Sequence, residues 1–206
     1  MRILIACEYS GIIREAFNAH HGFYAMSCDL LPAEDGRFDD HYQGNVMDIL
    51  SAGWDLMIAH PPCTRLANSG VSWLQRRNLW NEMTDGANFF KTLMDAPIDH
   101  IAIENPIPHK YALQIIGKKY DQIIQPWMFG DPESKATCLW LKNLPKLDPT
   151  NILPKPAKGY WNNQTPSGQN KLGPSADRAH NRSRTYPGIA LAMADQWVKY
   201  LLEGGE

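Results

Sequence analysis

Cys63 follows two prolines directly, in the run His60-Pro61-Pro62-Cys63. The two rings stiffen the backbone and hold the thiol in one place. A thiol that gives up its proton easily is a nucleophile. A small apolar core residue is the other ordinary fate of cysteine, and on position alone both readings stand for Cys63. Cys7, Cys28 and Cys138 lie within or at the end of apolar runs and read as core. Glu104 ends the apolar run His-Ile-Ala-Ile and precedes Asn105-Pro106. A carboxyl there can protonate or hydrogen-bond a ring nitrogen if burial raises its pKa; a plain strand-end acid is the alternative. Asp29 closes an earlier apolar run, where an acid commonly bonds a ribose hydroxyl. The turn Glu8-Tyr9-Ser10-Gly11-Ile12-Ile13 has one glycine where the dinucleotide fingerprint needs three, which argues against a nicotinamide cofactor. No G-x-x-x-x-G-K-[ST] phosphate loop is present, and His60-x-x-Cys63 has no second pair at ligand spacing, so no metal is expected.

These residues need a frame. Apolar runs at residues 2–7, 23–28, 54–59 and 100–103 read as strands, with weaker ones at 122–126 and 137–141. Helical spacing appears at 11–20 (Ile12, Ile13, Ala16, Phe17), at 81–95 (Met83, Ala87, Phe90, Leu93, Met94) and at 187–202 (Ile189, Met193, Trp197, Leu201). Strands alternating with helices predict a three-layer α/β fold, a mostly parallel sheet with helices on both faces. In such sheets ligands bind beyond the carboxyl ends of the strands. Glu8–Gly11, Asp29, His60–Cys63 and Glu104–Pro106 all stand at such ends, so the reactive residues collect on one edge.

The chain has 206 residues, 44% hydrophobic and 20% charged, with a formal net charge of −2. That is one ordinary domain in length, and it excludes a disordered chain and a polycation that coats nucleic acid. No apolar run approaches the roughly 20 residues of a membrane span. Four cysteines are too few for a disulfide scaffold, so a cytoplasmic protein with reduced thiols is expected, and a monomer. The charge is unevenly spread. Residues 151–185 hold Lys155, Lys158, Lys171, Arg178, Arg182 and Arg184 against Asp177 alone, a net of +5, with four prolines and little periodicity. Tyr160, Trp161, His180 and Tyr186 lie in or beside this stretch. Cations interleaved with aromatics suit phosphate contact and base stacking.

A strand ending in Pro-Pro-Cys and a later one ending in Glu-Asn resemble the cytosine-C5 DNA methyltransferases. The order of motifs agrees along nearly the whole chain. Tyr9-Ser10-Gly11 is similar to the family's first cofactor turn, with Ile13 at its usual next glycine. Asp29, with Leu30 beside it, stands at the acid that binds the ribose of S-adenosylmethionine. Asp48, followed by Ile49, stands at the acid near adenine, and His60-Pro61 leads into the nucleophile motif. Pro62-Cys63 matches that motif, with Thr64 for the frequent glutamine. Glu104-Asn105-Pro106 matches Glu-Asn-Val with proline for valine. Residues 129–135 are similar to the Tyr-Gly-x-Pro-Gln-x-Arg stretch, with Lys135 at its first arginine and Thr137 at its second.

The resemblance implies methyl transfer from S-adenosylmethionine to C5 of cytosine through a covalent Cys63–C6 adduct, with Glu104 serving ring nitrogen N3. It implies catalytic roles for Cys63, Glu104, Asn105 and Lys135. Tyr9, Ser10, Gly11, Asp29, Leu30, Asp48, Ile49, His60 and Pro61 would bind the cofactor. Arg65 joins the basic residues of 151–185 as a nucleic-acid contact. Residues 1–145 would be the catalytic unit, 146–185 a minimal target-recognition segment, and 186–206 a helix packing back. Members of the family are much longer, and the short recognition segment leaves little surface for reading several bases. Duplex DNA, single-stranded nucleic acid, a free cytosine nucleotide, or binding without turnover all remain open on the sequence alone.

Overall fold

The computed structural model describes residues 1–171 and 184–204. Seven strands form one sheet: β1 (Arg2–Ala6), β2 (Tyr24–Asp29), β3 (His41–Gln43), β4 (Leu56–Ala59), β5 (His100–Pro106), β6 (Gln122–Ile124) and β7 (Thr137–Lys142). Their order is β3-β2-β1-β4-β5-β7-β6. β7 runs antiparallel to both of its neighbours, and every other pairing is parallel.

The central strands are apolar along their whole length because both faces are covered. In β1, Ile3 and Ile5 enter one core, and Leu4 and Ala6 enter the other. β4 divides in the same way, Leu56 and Ile58 against Met57 and Ala59. The first core is closed by α1 (Ile12–Asn18) and α5 (Pro187–Leu202), through Ile13, Phe17, Met193 and Trp197. The second is closed by α3 (Trp80–Met94) and α4 (Lys110–Ile116), through Met83, Ala87, Phe90, Leu93 and Ile116. A short α2 (Val71–Arg76) precedes α3. The expected three layers are therefore present. Among the described residues no helix is long and apolar enough to cross a membrane.

Three elements carry no clear mark in the sequence. β3, α2 and α4 are only three, six and seven residues long, too short for a periodic pattern to accumulate. β5 also runs further than the expected 100–103. β4 leaves it at Ala59↔Ile103, but β7 continues to pair with it through Glu104↔Leu139, Asn105↔Cys138 and Pro106↔Thr137. Glu104 thus sits inside a strand, with a backbone held on one side by β7.

Candidate active site

The strand order reverses between β1 and β4, which opens a crevice beyond their carboxyl ends. The β1 turn lines one side. The buried Glu8 carboxylate accepts from Ser10 Oγ and from the Gly11 amide, the latter at 3.2 Å. Gly11 has φ +78°, and an added Cβ would collide with Asp35 Oδ2, so both conformation and space demand glycine. The loop after β2 folds back onto this turn, where the Glu34 amide donates to Tyr9 O at 2.8 Å.

A buried network beneath holds that loop. Arg14, fully buried on α1, bonds Asp35 and donates to Ser27 Oγ at 2.8 Å. Ser27 Oγ lies 2.8 Å from His41 Nδ1, and His41 Nε2 donates to Leu31 O at 2.9 Å. A carbonyl only accepts, so Nε2 carries the proton. Arg14 thereby ties α1 to the loop that follows Asp29. An arginine in the third position of a short apolar helix gave no signal of this in the sequence.

Asp29 accepts from the Leu31 amide at 2.9 Å, an Asx turn that fixes the strand end. Asp48, exposed, accepts from Tyr42 Oη at 3.3 Å. Leu30 and Met47 beside these acids are 74% and 43% exposed, and Ile49 is half-buried. Carboxylates flanked by bare apolar side chains fit a nucleoside, which presents hydroxyls and an apolar ring face. The acceptors and apolar side chains on this edge therefore suit a nucleoside, the part that S-adenosylmethionine would present there. Burial, followed by the charges of Asp29 and its neighbours, pushes the Cys7 and Cys28 thiols up to about 12. Burial and Glu104 do the same for Cys138. All three remain thiols at neutral pH.

Beyond β4 the chain runs through His60-Pro61-Pro62 to Cys63, which is half-buried. The Cys63 carbonyl accepts from the Leu66 and Ala67 amides, both at 2.9 Å, closing a tight turn. Asn105, 1% exposed, donates from Nδ2 to Pro61 O at 2.9 Å. That places Asn105 behind the Pro-Pro-Cys segment, where it positions the backbone.

Glu104 faces the opposite wall of this segment. Its Oε2 lies 3.1 Å from His60 Nδ1. Because β7 is antiparallel, its beginning lies at the same edge as the end of β5, and this brings Lys135 and Thr137 to the carboxylate. His60, Glu104, Lys135, Thr137, Thr185, Tyr186, Ile189 and Met193 line one small pocket. Burial alone would raise the Glu104 pKa. The His60 hydrogen bond, the Lys135 charge and Thr137 outweigh it and hold the carboxyl down at about 2. This corrects the expectation of a pKa raised by burial: the free site holds a carboxylate.

The C-terminal helix closes the pocket. Tyr186 donates to Glu133 at 2.5 Å, and burial together with that bond raises its phenol above the ordinary value. Gly188 donates to Asp131 at 3.1 Å, and an added Cβ would collide with Phe129 O. The helix can sit this close only because residue 188 has no side chain.

The basic residues divide. Lys155, Lys158 and Lys171 are exposed. Lys158 and Lys171 flank the Tyr160 ring at 5.1 and 5.8 Å, and Trp161 stacks on Trp127. Residues 151–163 lie along 126–134 through Asn151, Leu153, Asn162 and Asn163. Arg65 pairs with Glu82 at 2.8 Å, and Arg184 with Glu34 at 3.1 Å, so both expected phosphate contacts are engaged within the protein. Arg178 and Arg182 lie outside the described residues. The structure adds a second basic surface that the sequence did not suggest. Trp73 on α2 is 45% exposed, with Arg77 and Arg76 4.5 and 5.7 Å from its ring. The available signal was that residues 63–81 contain three arginines and no acid. Among the described residues no group of three His, Cys, Asp or Glu is arranged to hold a metal ion.

No family model matches the sequence, and a search of curated proteins finds no match. Solved structures do match. One is the methyltransferase EhMeth of Entamoeba histolytica, 18% identical over 74% of this chain and 57% of that one, with a TM-score of 0.50. A protein described as a putative DNA modification methyltransferase, encoded in an E. coli prophage, is 17% identical over 77% and 53%, with a TM-score of 0.47. The S. pombe Dnmt2 methyltransferase is 15% identical over 68% and 48%, with a TM-score of 0.42. The chain spans about half the length of the solved structures it matches. At this identity the likeness concerns the fold, for which the sheet order and the EhMeth match carry the argument. The chain has a Rossmann-like α/β fold, which it shares with the methyltransferase EhMeth.

Proposed function

We propose that this protein transfers a methyl group from S-adenosylmethionine to C5 of cytosine in nucleic acid, with Cys63 as nucleophile. The observation that carries the reading is the convergence of three features on one sheet edge. These are a cysteine held by two prolines, a carboxylate in a pocket reached by Lys135, and a nucleoside-fitting edge at Asp29 and Asp48. The fold shared with EhMeth supports it, as does the motif order from Tyr9 to Lys135.

Bound S-adenosylmethionine supplies an electrophilic methyl group on its sulfonium. Asp29 would hold its ribose, and Asp48 with Met47 and Ile49 would flank its adenine. The Cys63 thiolate forms a bond to C6 of the cytosine ring, and the electron pair of the C5–C6 double bond moves to C5, which takes the methyl group. Negative charge grows towards N3 as the thiolate adds. Glu104 accepts from the exocyclic amino group, and its carboxylate takes up a proton as the ring reacts and passes it to N3, which offsets that charge. A base then takes the C5 proton, and the sulfur leaves as thiolate. Lys158, Lys171 and Tyr160 on the recognition segment, and Trp73 with Arg76 and Arg77 on α2, give phosphates and bases two places to rest. We assign residues 1–145 as the catalytic unit, 146–185 as the substrate-contact segment and 186–206 as the closing helix.

The test is transfer of labelled methyl from S-adenosylmethionine to duplex DNA, single-stranded DNA, RNA and dCMP. Label at cytosine C5 in one of them supports the proposal and names the substrate. Cofactor binding with label in none of them overturns it.

A further inference from the structure

We propose that His60 is a positioning residue for Glu104, fixing the carboxylate in the pocket and relaying to it the proton that a bound cytosine ring requires at N3. This rests on the methyl-transfer reading above and adds a residue to it. A carboxylate oxygen only accepts, so at the 3.1 Å contact the proton lies on His60 Nδ1. The other ring nitrogen, Nε2, is buried and has no hydrogen-bond partner among the described residues. Such an atom is costly to leave unsatisfied in a structural role. His60 also lines the pocket it shares with Glu104 and the C-terminal helix. The arrangement is a chain of three sites: the unpartnered Nε2, the Nδ1–H across the imidazole, and Glu104.

The relay conserves protons. As the ring accepts sulfur at C6, the Nδ1 proton of His60 passes to the Glu104 carboxylate and on from it to N3. A solvent proton replaces it at the unpartnered Nε2, so the imidazole passes from one neutral tautomer to the other and no charge is left on it. When the C5 proton is removed and the sulfur leaves, the sequence reverses. The other charged or titratable groups around the pair are Lys135, Cys138 and Tyr186, the last bonded to Glu133. Cys138 keeps its proton, and Tyr186 donates away from the pair, so neither competes for the role. Backbone support comes from both sides. The His60 amide donates to Ala6 O, and Asn105 clamps Pro61.

Two variants separate positioning from relay. His60→Asn keeps an N–H donor near the Nδ1 position and cannot relay a proton. The expected result is turnover at least about tenfold slower, with substrate KM and cofactor binding unchanged. His60→Ala removes the donor, and the Glu104 carboxyl, followed by 13C NMR, then titrates at higher pH than in the wild type. Wild-type turnover in His60→Asn overturns the relay. An unmoved Glu104 titration in His60→Ala overturns the pairing. If the wild-type protein methylates no nucleic acid while Glu104 responds to His60→Ala, the pairing stands and the methyl-transfer reading is what fails.

Discussion

Glu104→Gln tests the electrostatics of the site directly. Glutamine has the shape of the protonated acid and no charge, so comparing it with the wild type measures what ionisation contributes. The Glu104 side chain is 16% exposed, and its surroundings take the carboxyl from an ordinary value near 4.5 to about 2. At about 1.4 kcal/mol per tenfold change in proton affinity, that amounts to about 3 kcal/mol of stability at neutral pH. The folded-state pKa lies below the unfolded one. The contribution is therefore complete above about pH 4.5 and is lost as pH falls towards about 2. Roughly half of it remains at pH 3. The assay is urea unfolding of both proteins at pH 7 and pH 3, followed by tryptophan fluorescence. Glu104→Gln should be less stable by about 3 kcal/mol at pH 7, and the gap should narrow to about half at pH 3. An equal gap at the two pH values, or a variant as stable as the wild type at pH 7, would refute the account of His60 and Lys135 as the partners that hold the charge. Turnover should fall by about a hundredfold or more in the same variant, because glutamine cannot pass a proton to N3.

Other outcomes follow from single substitutions. Cys63→Ala should abolish methyl transfer and leave S-adenosylmethionine affinity nearly intact by calorimetry, since Cys7, Cys28 and Cys138 all stay protonated at neutral pH. Gly188→Ala drives a Cβ into Phe129 O; it should cost about 2 kcal/mol in unfolding measurements and loosen the helix over the pocket. Replacing both Arg76 and Arg77 by alanine should weaken single-stranded DNA binding. It should also flatten the dependence of log K on log salt by about 1.4, since each phosphate that an arginine neutralises adds about 0.7 to the slope. Binding with unchanged salt dependence would remove α2 from the interface.

The strands with continuous apolar runs and the helices with sustained spacing were legible because burial on both sheet faces leaves a mark on every residue. Ile3 to Ala6 and Leu56 to Ala59 are examples. Residues 41–43, 71–76 and 110–116 were not, since one or two turns of helix or a three-residue edge strand carry too little pattern. At the site, Cys63, Glu104 and Asp29 could be singled out because each ends or follows a strand. Arg14 could not. Its burial depends on Ser27 and Asp35, which meet it only when β2 and the following loop fold onto α1.

Residue type and order alone settled that a stiffened cysteine, a strand-end acid pair and a basic segment share this chain, and that an alternating strand–helix pattern must put the cysteine and the acids on one edge. Proximity and charge state were decided by the tertiary structure. Lys135 and Thr137 reach Glu104 because β7 runs antiparallel, which carries its first residues to the edge where β5 ends. His60 meets Glu104 across adjacent strands, 44 residues apart in the chain. Those partners outweigh burial and make Glu104 a carboxylate. A residue's pKa depends on which charges surround it in space, and a sequence records only which residues precede and follow it.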